Sequence, residues 1–431
     1  MRLGVRVFRR SAELRRNIGL ALRISSVSAC LLLALLFAQV AHATIVGAKG
    51  PTYAVSGSAA KTIKNPTLAG PESKLWYKDG RWWGVLWDRT SGSHHIFWLK
   101  SMPTHHWVDT GVLVDGRNTV RADALSAGTK LWVATHVYGV DGGRGKARLS
   151  RYSYHSASHT YTRDAGFPVR INSAISKTLV ITKEMGHNVL WASWVEQVVP
   201  GRRKVLVAKG LKGGKKWKAP FPVPGSKTVG YDDISSIVAF GTKVGVLWSD
   251  SNNGDGNRFR FAIHRNGARS SRWSLERPYL TGRRMVDDHI SLKSWNGRVY
   301  AAVKDASRGL NIDGPILILL VRGTSGGWNH YGIASNGAGL TRPVLLIDPG
   351  ANELHVFANG PDFRPGTIFE KTSPLDVPSF DVQGPPTEFI SDDQQPGLEV
   401  ATSTKQLVSP SLGLVVVAAN FMNHTYYFRE E

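Results

Sequence analysis

Two nineteen-residue stretches, Asp232–Asp250 and Asp287–Asp305, align without a gap at an offset of 55, and one position between them changes chemistry. Ile234 in the first becomes His289 in the second, directly after an aspartate pair, which creates Asp287-Asp288-His289. An imidazole beside two carboxylates can take or give a proton near neutral pH. Lys293, where the twin has Val238, is a second departure of this kind. Whatever recurs between two units serves the units, so a departure is where function is added.

Other groups carry compatible chemistry. His136 and Tyr138 in "ATHVYGVDGG" pair an imidazole base with a phenolic acid. Asp233, Asp288 and Asp250 supply carboxylates from which a glycoside hydrolase would draw its pair. Arg121 in "VRADAL" and Arg342 in "LTRPVLL" offer planar, bidentate donors to a substrate carboxylate. Lys293, Lys405 and Tyr231 complete the set that would bind an anionic chain, and Lys177, Asp232 and Asp287 share its rim. A plainer role stands beside each: His289 as a packing residue, the Asp pairs as caps on turn amides, the arginines as salt-bridge partners. The sequence has no Cys/His ligand cluster, HExxH, P-loop or nucleophile elbow, so no cofactor and no metal are expected in the site. A structural Ca²⁺ is left open at "SDSNNGDGNRF", Ser249–Phe259, which has the composition of a calcium loop without EF-hand spacing.

These residues need elements to position them, and the elements repeat. The apolar segment "KVGVLWSD" has counterparts in "RWWGVLWD", "KLWVATHV", "NVLWASWV", "RVYAAVKD", "ELHVFANG" and "GLVVVAAN". Anchored on Trp83, Leu131, Leu190, Val244, Val299, Leu354 and Leu414, the steps are 48, 59, 54, 55, 55 and 60. Each unit reads as a strand, a tight turn with "DG", "GT" or "NG", an apolar strand, a polar loop, a third strand and an aromatic-led fourth. No stretch reads as a long amphipathic helix. Seven four-stranded units at this period predict an all-β, seven-bladed β-propeller. The dense aromatics of "KLWYKDGRWWGVLW" are expected between the sheets. The last unit stops at its third strand, "HTYYFREE", while "TIVGAKGPTYAVSG" precedes the first, so Thr44–Gly57 is expected to supply the missing outer strand and close the ring.

The chain opens with seven Arg and one Glu in 43 residues, then "ACLLLALLFAQVA" and "AHA", the pattern of a cleaved secretory leader. Residues 1–43 are read as a signal peptide and 44–431 as a single propeller, exported to the periplasm or medium. The only cysteine, Cys30, lies in the leader, so the propeller would depend on its core alone. The net charge of +22 becomes about +16 without the leader, which favours acidic partners. Nucleic acid is not expected, since its usual binding motifs are absent. No segment after the leader is long enough to span a membrane.

With the units laid out, "KLWYKDGRWWGVLW", "HHWVDTGVLVD", "RADALSAGTKLWVATH", "DDHISLKS", "TRPVLLID", "EKTSPLD" and "ATSTKQ" resemble the secreted BNR/sialidase-like propeller proteins of bacteria. The fourth segments keep the tryptophan of the sialidase box (Trp107, Trp217, Trp273, Trp328) but not its Ser-Asp-Gly part. The chain is also similar to propeller-type polysaccharide lyases, which carry a "DDH" at the start of a blade and use His and Tyr as base and acid. The resemblance implies a monomer that binds an acidic glycan or polysaccharide at the channel mouth. As an enzyme it would be a lyase or a glycoside hydrolase; the alternative is a non-catalytic interaction scaffold outside the cell.

Overall fold

The computed structural model describes residues 45–54, 63, 65–68, 70–101, 103–139, 144–226, 228–251, 258–280, 286–305, 312–360 and 366–431. The expected leader and residues 252–257 of the calcium-like loop lie outside the described residues. Seven antiparallel sheets follow one another along the chain, with strands in sequence order from the channel outward except in blades two, three, six and seven. In blade two, Thr160–Arg163 and Val169–Ala174 both pair with Arg144–His155. Blade three has a split outer strand, and N-terminal residues complete blades six and seven. Together they form the seven-bladed propeller that the repeat predicts.

The seven apolar segments are the second strands: Arg81–Asp88, Lys130–Val137, Leu190–Val199, Lys243–Asp250, Arg298–Asp305, Glu353–Asn359 and Val415–Asn420. They read as continuous apolar runs because a neighbouring blade covers each of their faces. Trp132 and Ala134 of blade two thus pack with Leu179 and Trp194 of blade three in one core cluster. Trp76, Trp83 and Trp87 are fully buried, and Trp76 donates its indole N–H to Tyr161 Oη at 2.8 Å. Blade three departs from four intact strands. Its outer strand is split into Lys216–Trp217 and Phe221–Pro222, both paired with Arg202–Leu211. Pro220 and Pro222 explain the break, since proline has no N–H for the ladder.

Ring closure uses two grips. Ala48–Thr52 pairs with Thr425–Glu430 as the outer strand of blade seven, as the missing strand requires. Just before it, Ile45 and Val46 pair with Asp392 and Ser391 as a fifth strand on blade six. Gly47 joins the two pieces at φ 90°, where a Cβ would meet the carbonyl of Phe428 at 2.7 Å. Lys49 then bridges to Asp392 at 3.2 Å, across the two blades.

Candidate functional site at the channel mouth

The inner strands start at one face of the ring, so their first residues converge on the axis. There a cavity of about 390 Å³ is lined by residues from all seven blades, among them Tyr138, Lys177, Asp232, Asp287, Asp288, His289, Lys304 and Arg342. His289 sits on the inner strand of blade five, Val286–Trp295. Its Nδ1 stands 3.3 Å from Oδ1 of Asp287 and 3.3 Å from Oδ1 of Asp288. Both carboxylates thus lie on the Nδ1 side of the ring.

Two lysines hold this cluster. Lys177 of blade three donates to Asp232 of blade four and to Asp288 of blade five. Lys304 Nζ lies 2.9 Å from Asp287 Oδ2 and donates to Thr341 Oγ1 of blade six at 3.1 Å. Burial pulls the Lys177 ammonium down, but Asp288 and Asp232 outweigh it and hold it above its usual range. The two carboxylates are driven apart. Burial opposes ionisation of Asp287, yet His289, Asp288 and Lys304 hold it far below the carboxylate range. Asp288 is pushed up, by burial first and also by donating its proton to the ionised Asp287, against the pull of His289 and Lys177.

Arg342 enters the cavity at a backbone φ of 56°, ahead of Pro343. A non-glycine residue in this region carries about 1–3 kcal/mol of strain and persists where its surroundings impose it. Among the described residues no carboxylate lies within ion-pair distance of Arg342. Tyr138 is 36% exposed, and the Arg121 guanidinium lies over its ring, 4.9 Å from the centroid.

The remaining candidates stand elsewhere. His136 is buried, its Nε2 donating to Glu72 Oε1 at 2.6 Å and its Nδ1 bonded to Ser176 Oγ at 3.1 Å, so it joins three blades and does not line the mouth. Asp233 is buried and accepts the backbone N–H groups of Gly230 (2.5 Å) and Ser251 (2.9 Å), the turn-capping role open to it from its position. Burial pushes its carboxyl up to about 6. Asp250 is buried and accepts from Arg260 Nε. Arg121 is buried beneath Tyr138, and burial lowers its pKa. Tyr231 is 54% exposed, with Arg203 over its ring, outside the cavity lining. Lys293 and Lys405 line a second cavity deeper in the channel.

Lys304 escaped notice in the sequence although the signal was present. Its repeat partner is Ser249, whose Oγ accepts the N–H of Ile234 at 3.1 Å. In blade five both members of that pair change together, to Lys304 and His289, so the double departure marks one site.

Asp287, Asp288 and His289 each bring a ligand atom within 4.8 Å of the others, as do Asp88, His95 and Asp109 of blade one. At the first group a cation would compete with Lys177 and Lys304 for the same carboxylates. At the second, His95 Nδ1 is 2.8 Å from Asp109 Oδ2 and Nε2 is 3.0 Å from Ser93 Oγ, the connectivity of a nucleophile, base and orienter. The adjacent N–H groups of Thr90 and Ser91 already donate to Asp88, which leaves them unable to face an oxyanion.

No family model and no curated protein sequence matches the chain. Solved structures share the propeller fold with the chain. A PL25 ulvan lyase bound to a GlcA(1-4)Rha3S unit matches with a TM-score of 0.57 at 10% identity, over 90% of this chain and 96% of that one. Polysaccharide lyase Uly1 matches at 0.51 and 10% identity, over 90% and 97%. A fucose-bound lectin of Aleuria aurantia is a looser likeness, 0.46 at 14% identity over 70% and 89%. At such identities the likeness is one of fold.

Proposed function

We propose that the channel mouth binds an acidic polysaccharide and cleaves it by β-elimination beside a uronate. The observation that carries this reading is a single cavity lined by His289, Tyr138 and Arg342 together. Arg342 pairs with the uronate carboxylate, which acidifies the C5 proton and stabilises the charge that develops on its removal. His289 Nε2 takes the C5 proton, the electron pair forms the C4–C5 double bond, and the C4–O4 bond breaks. Tyr138 gives its phenolic proton to the departing O4. Solvent returns a proton to Tyr138 and removes one from His289. Two of the fold neighbours are polysaccharide lyases, which is compatible with this chemistry.

A second reading, hydrolysis, is favoured by the opposite shifts of Asp287 and Asp288, which resemble a nucleophile and an acid. Their oxygens come within 4.8 Å, shorter than the roughly 5–9.5 Å that hydrolase pairs span. Both carboxylates are also committed to lysines.

The test is incubation with a panel of uronate-containing polysaccharides, following ultraviolet absorbance for an unsaturated product and reducing ends for either cleavage. Elimination predicts both signals rising together, with His289→Ala and Tyr138→Phe losing both. Reducing ends without absorbance would overturn elimination in favour of hydrolysis. Retention of labelled polysaccharide without any product would mark a binding module. Export of a monomeric chain after cleavage at Ala43 belongs to the same proposal; N-terminal sequencing of secreted material and its sedimentation mass check it.

A further inference from the structure

Below the mouth, a second cavity of about 270 Å³ lies on the channel axis and is again lined by residues from all seven blades. The two cavities meet at Gly70 and Pro71, which line both. The charged groups around the lower one are unevenly matched. Glu72 is held by His136 and by Lys74, whose Nζ is 3.4 Å away. Glu184 accepts from Trp191 Nε1 at 2.9 Å and has Lys209 and His187 beside it. Lys405 donates to Asp123 Oδ2 at 2.5 Å and to the carbonyl of Ile181 at 2.7 Å. Lys183 and Lys293 complete the lining charges.

Among the described residues neither Lys183 nor Lys293 has an ion pair, but Lys183 is half-buried and Lys293 is buried. It is 6% exposed and donates to the carbonyl of Thr404, and among the described residues no carboxylate lies within ion-pair distance of it. Its repeat partner Val238 lines the same cavity, so blade four puts a methyl-bearing side chain where blade five puts an ammonium. A buried ammonium facing a second lysine costs several kcal/mol unless an anion compensates it. A carbonyl oxygen alone carries no net charge. Ser236, Ser291 and Ser403 also line the space, and Met185, more than half exposed, lies on its rim as a way in from the opposite face.

We propose that this inner cavity is a binding site for one small monovalent anion, a halide or a simple carboxylate, held by Lys293. The site is independent of the chemistry at the mouth. Burial and the neighbouring Lys405 pull the Lys293 amine down to about 7 against the weaker opposing pull of Asp123, which is itself paired with Lys405, so the anion also supplies a counter-charge. Below that pH the ammonium is already present and binding needs no proton. Above it each binding event takes up one proton, and the apparent affinity falls about tenfold per pH unit.

The experiment uses the full propeller, wild type and Lys293→Met, a substitution of similar length that removes the charge. Thermal unfolding is followed against sodium bromide and, separately, sodium formate, at pH 6 and pH 8.5, and crystals are soaked in bromide. The expected result is a saturable rise in Tm for the wild type at pH 6, a right-shifted titration at pH 8.5, and no saturable rise for Lys293→Met. An anomalous bromide peak should lie within hydrogen-bond reach of Nζ. A response to formate exceeding that to bromide would assign the carboxylate class, and the reverse the halide. Equal titrations for wild type and Lys293→Met, or no saturable effect of either salt at pH 6, would overturn the proposal. Polysaccharide cleavage enters none of these readouts.

Discussion

Nδ1 of His289 stands 3.3 Å from Oδ1 of Asp288, whose other oxygen is taken by Lys177 from blade three. The base therefore faces a carboxylate that is itself tied across two blades. His289→Ala is expected to lower kcat by about 10²–10⁴-fold with KM little changed, since general-base catalysis is worth that much. Asp288→Asn should give a smaller loss with a displaced acid limb of the pH profile. Steady-state kinetics on the polysaccharide that passes the screen checks both. A kcat unchanged in His289→Ala would remove that residue from the reaction.

His136 offers the matching control. Its partner Glu72 also accepts the N–H of Leu179 at 3.0 Å, so this buried pair ties blades one to three together. His136→Leu should cost about 1–3 kcal/mol by removing one partner of the buried Glu72, which keeps Lys74 and the Leu179 N–H, while the folded fraction keeps its kcat. Denaturant titration beside activity per folded molecule separates the two effects. Loss of kcat at full folding would return His136 to the mechanism.

Closure of the ring depends on a short segment. Removing residues 44–53 deletes both grips and Tyr53, which is buried and donates to the carbonyl of Asn420 at 2.7 Å. A loss of about 5 kcal/mol in ladder bonds and buried area should lower Tm by roughly 6 °C in a domain of this size. Calorimetry of the shortened chain decides it, and an unchanged Tm would show that the ring closes by another route.

Lys293 makes stability depend on pH with a definite sign. Its folded-state pKa of about 7 lies below that of an unfolded lysine, roughly 10.4. Between those values the unfolded chain holds more protons, so this group makes the fold more stable as pH rises through that window. Below pH 7 the full cost of the buried charge is felt. In a buffer of large anions, Lys293→Met should exceed the wild type in stability most at pH 6, with the gap closing towards pH 10. Urea unfolding at four pH values measures the gap, and a gap independent of pH would contradict the assignment.

The propeller was legible because blade-building residues repeat. Apolar second strands every 48–60 residues, "GT" and "NG" turns and the surplus N-terminal strand are local patterns, and local patterns are what a chain displays in order. The same repetition explains why Asp233 and Asp250 were ambiguous. An aspartate that caps a turn and one that faces a ligand share a position in the grammar, and only burial and partners separate them.

The sequence by itself determined the seven blades, the closing strand and His289 and Lys293 as the positions where one blade breaks its pattern. Tertiary structure decided where those departures point. Residues 111 positions apart, Lys177 and Asp288, meet because inner strands of separate blades converge on one axis. His136 and Tyr138, two apart, would share a face if the strand continued, but Lys130–Val137 ends between them and Tyr138 bridges instead to Ser176 of blade three. One is buried against Glu72 and the other lines the mouth. Depth along the channel, which puts His289 in the upper cavity and Lys293 four residues later in the lower one, follows from the rise of a strand and the burial around it.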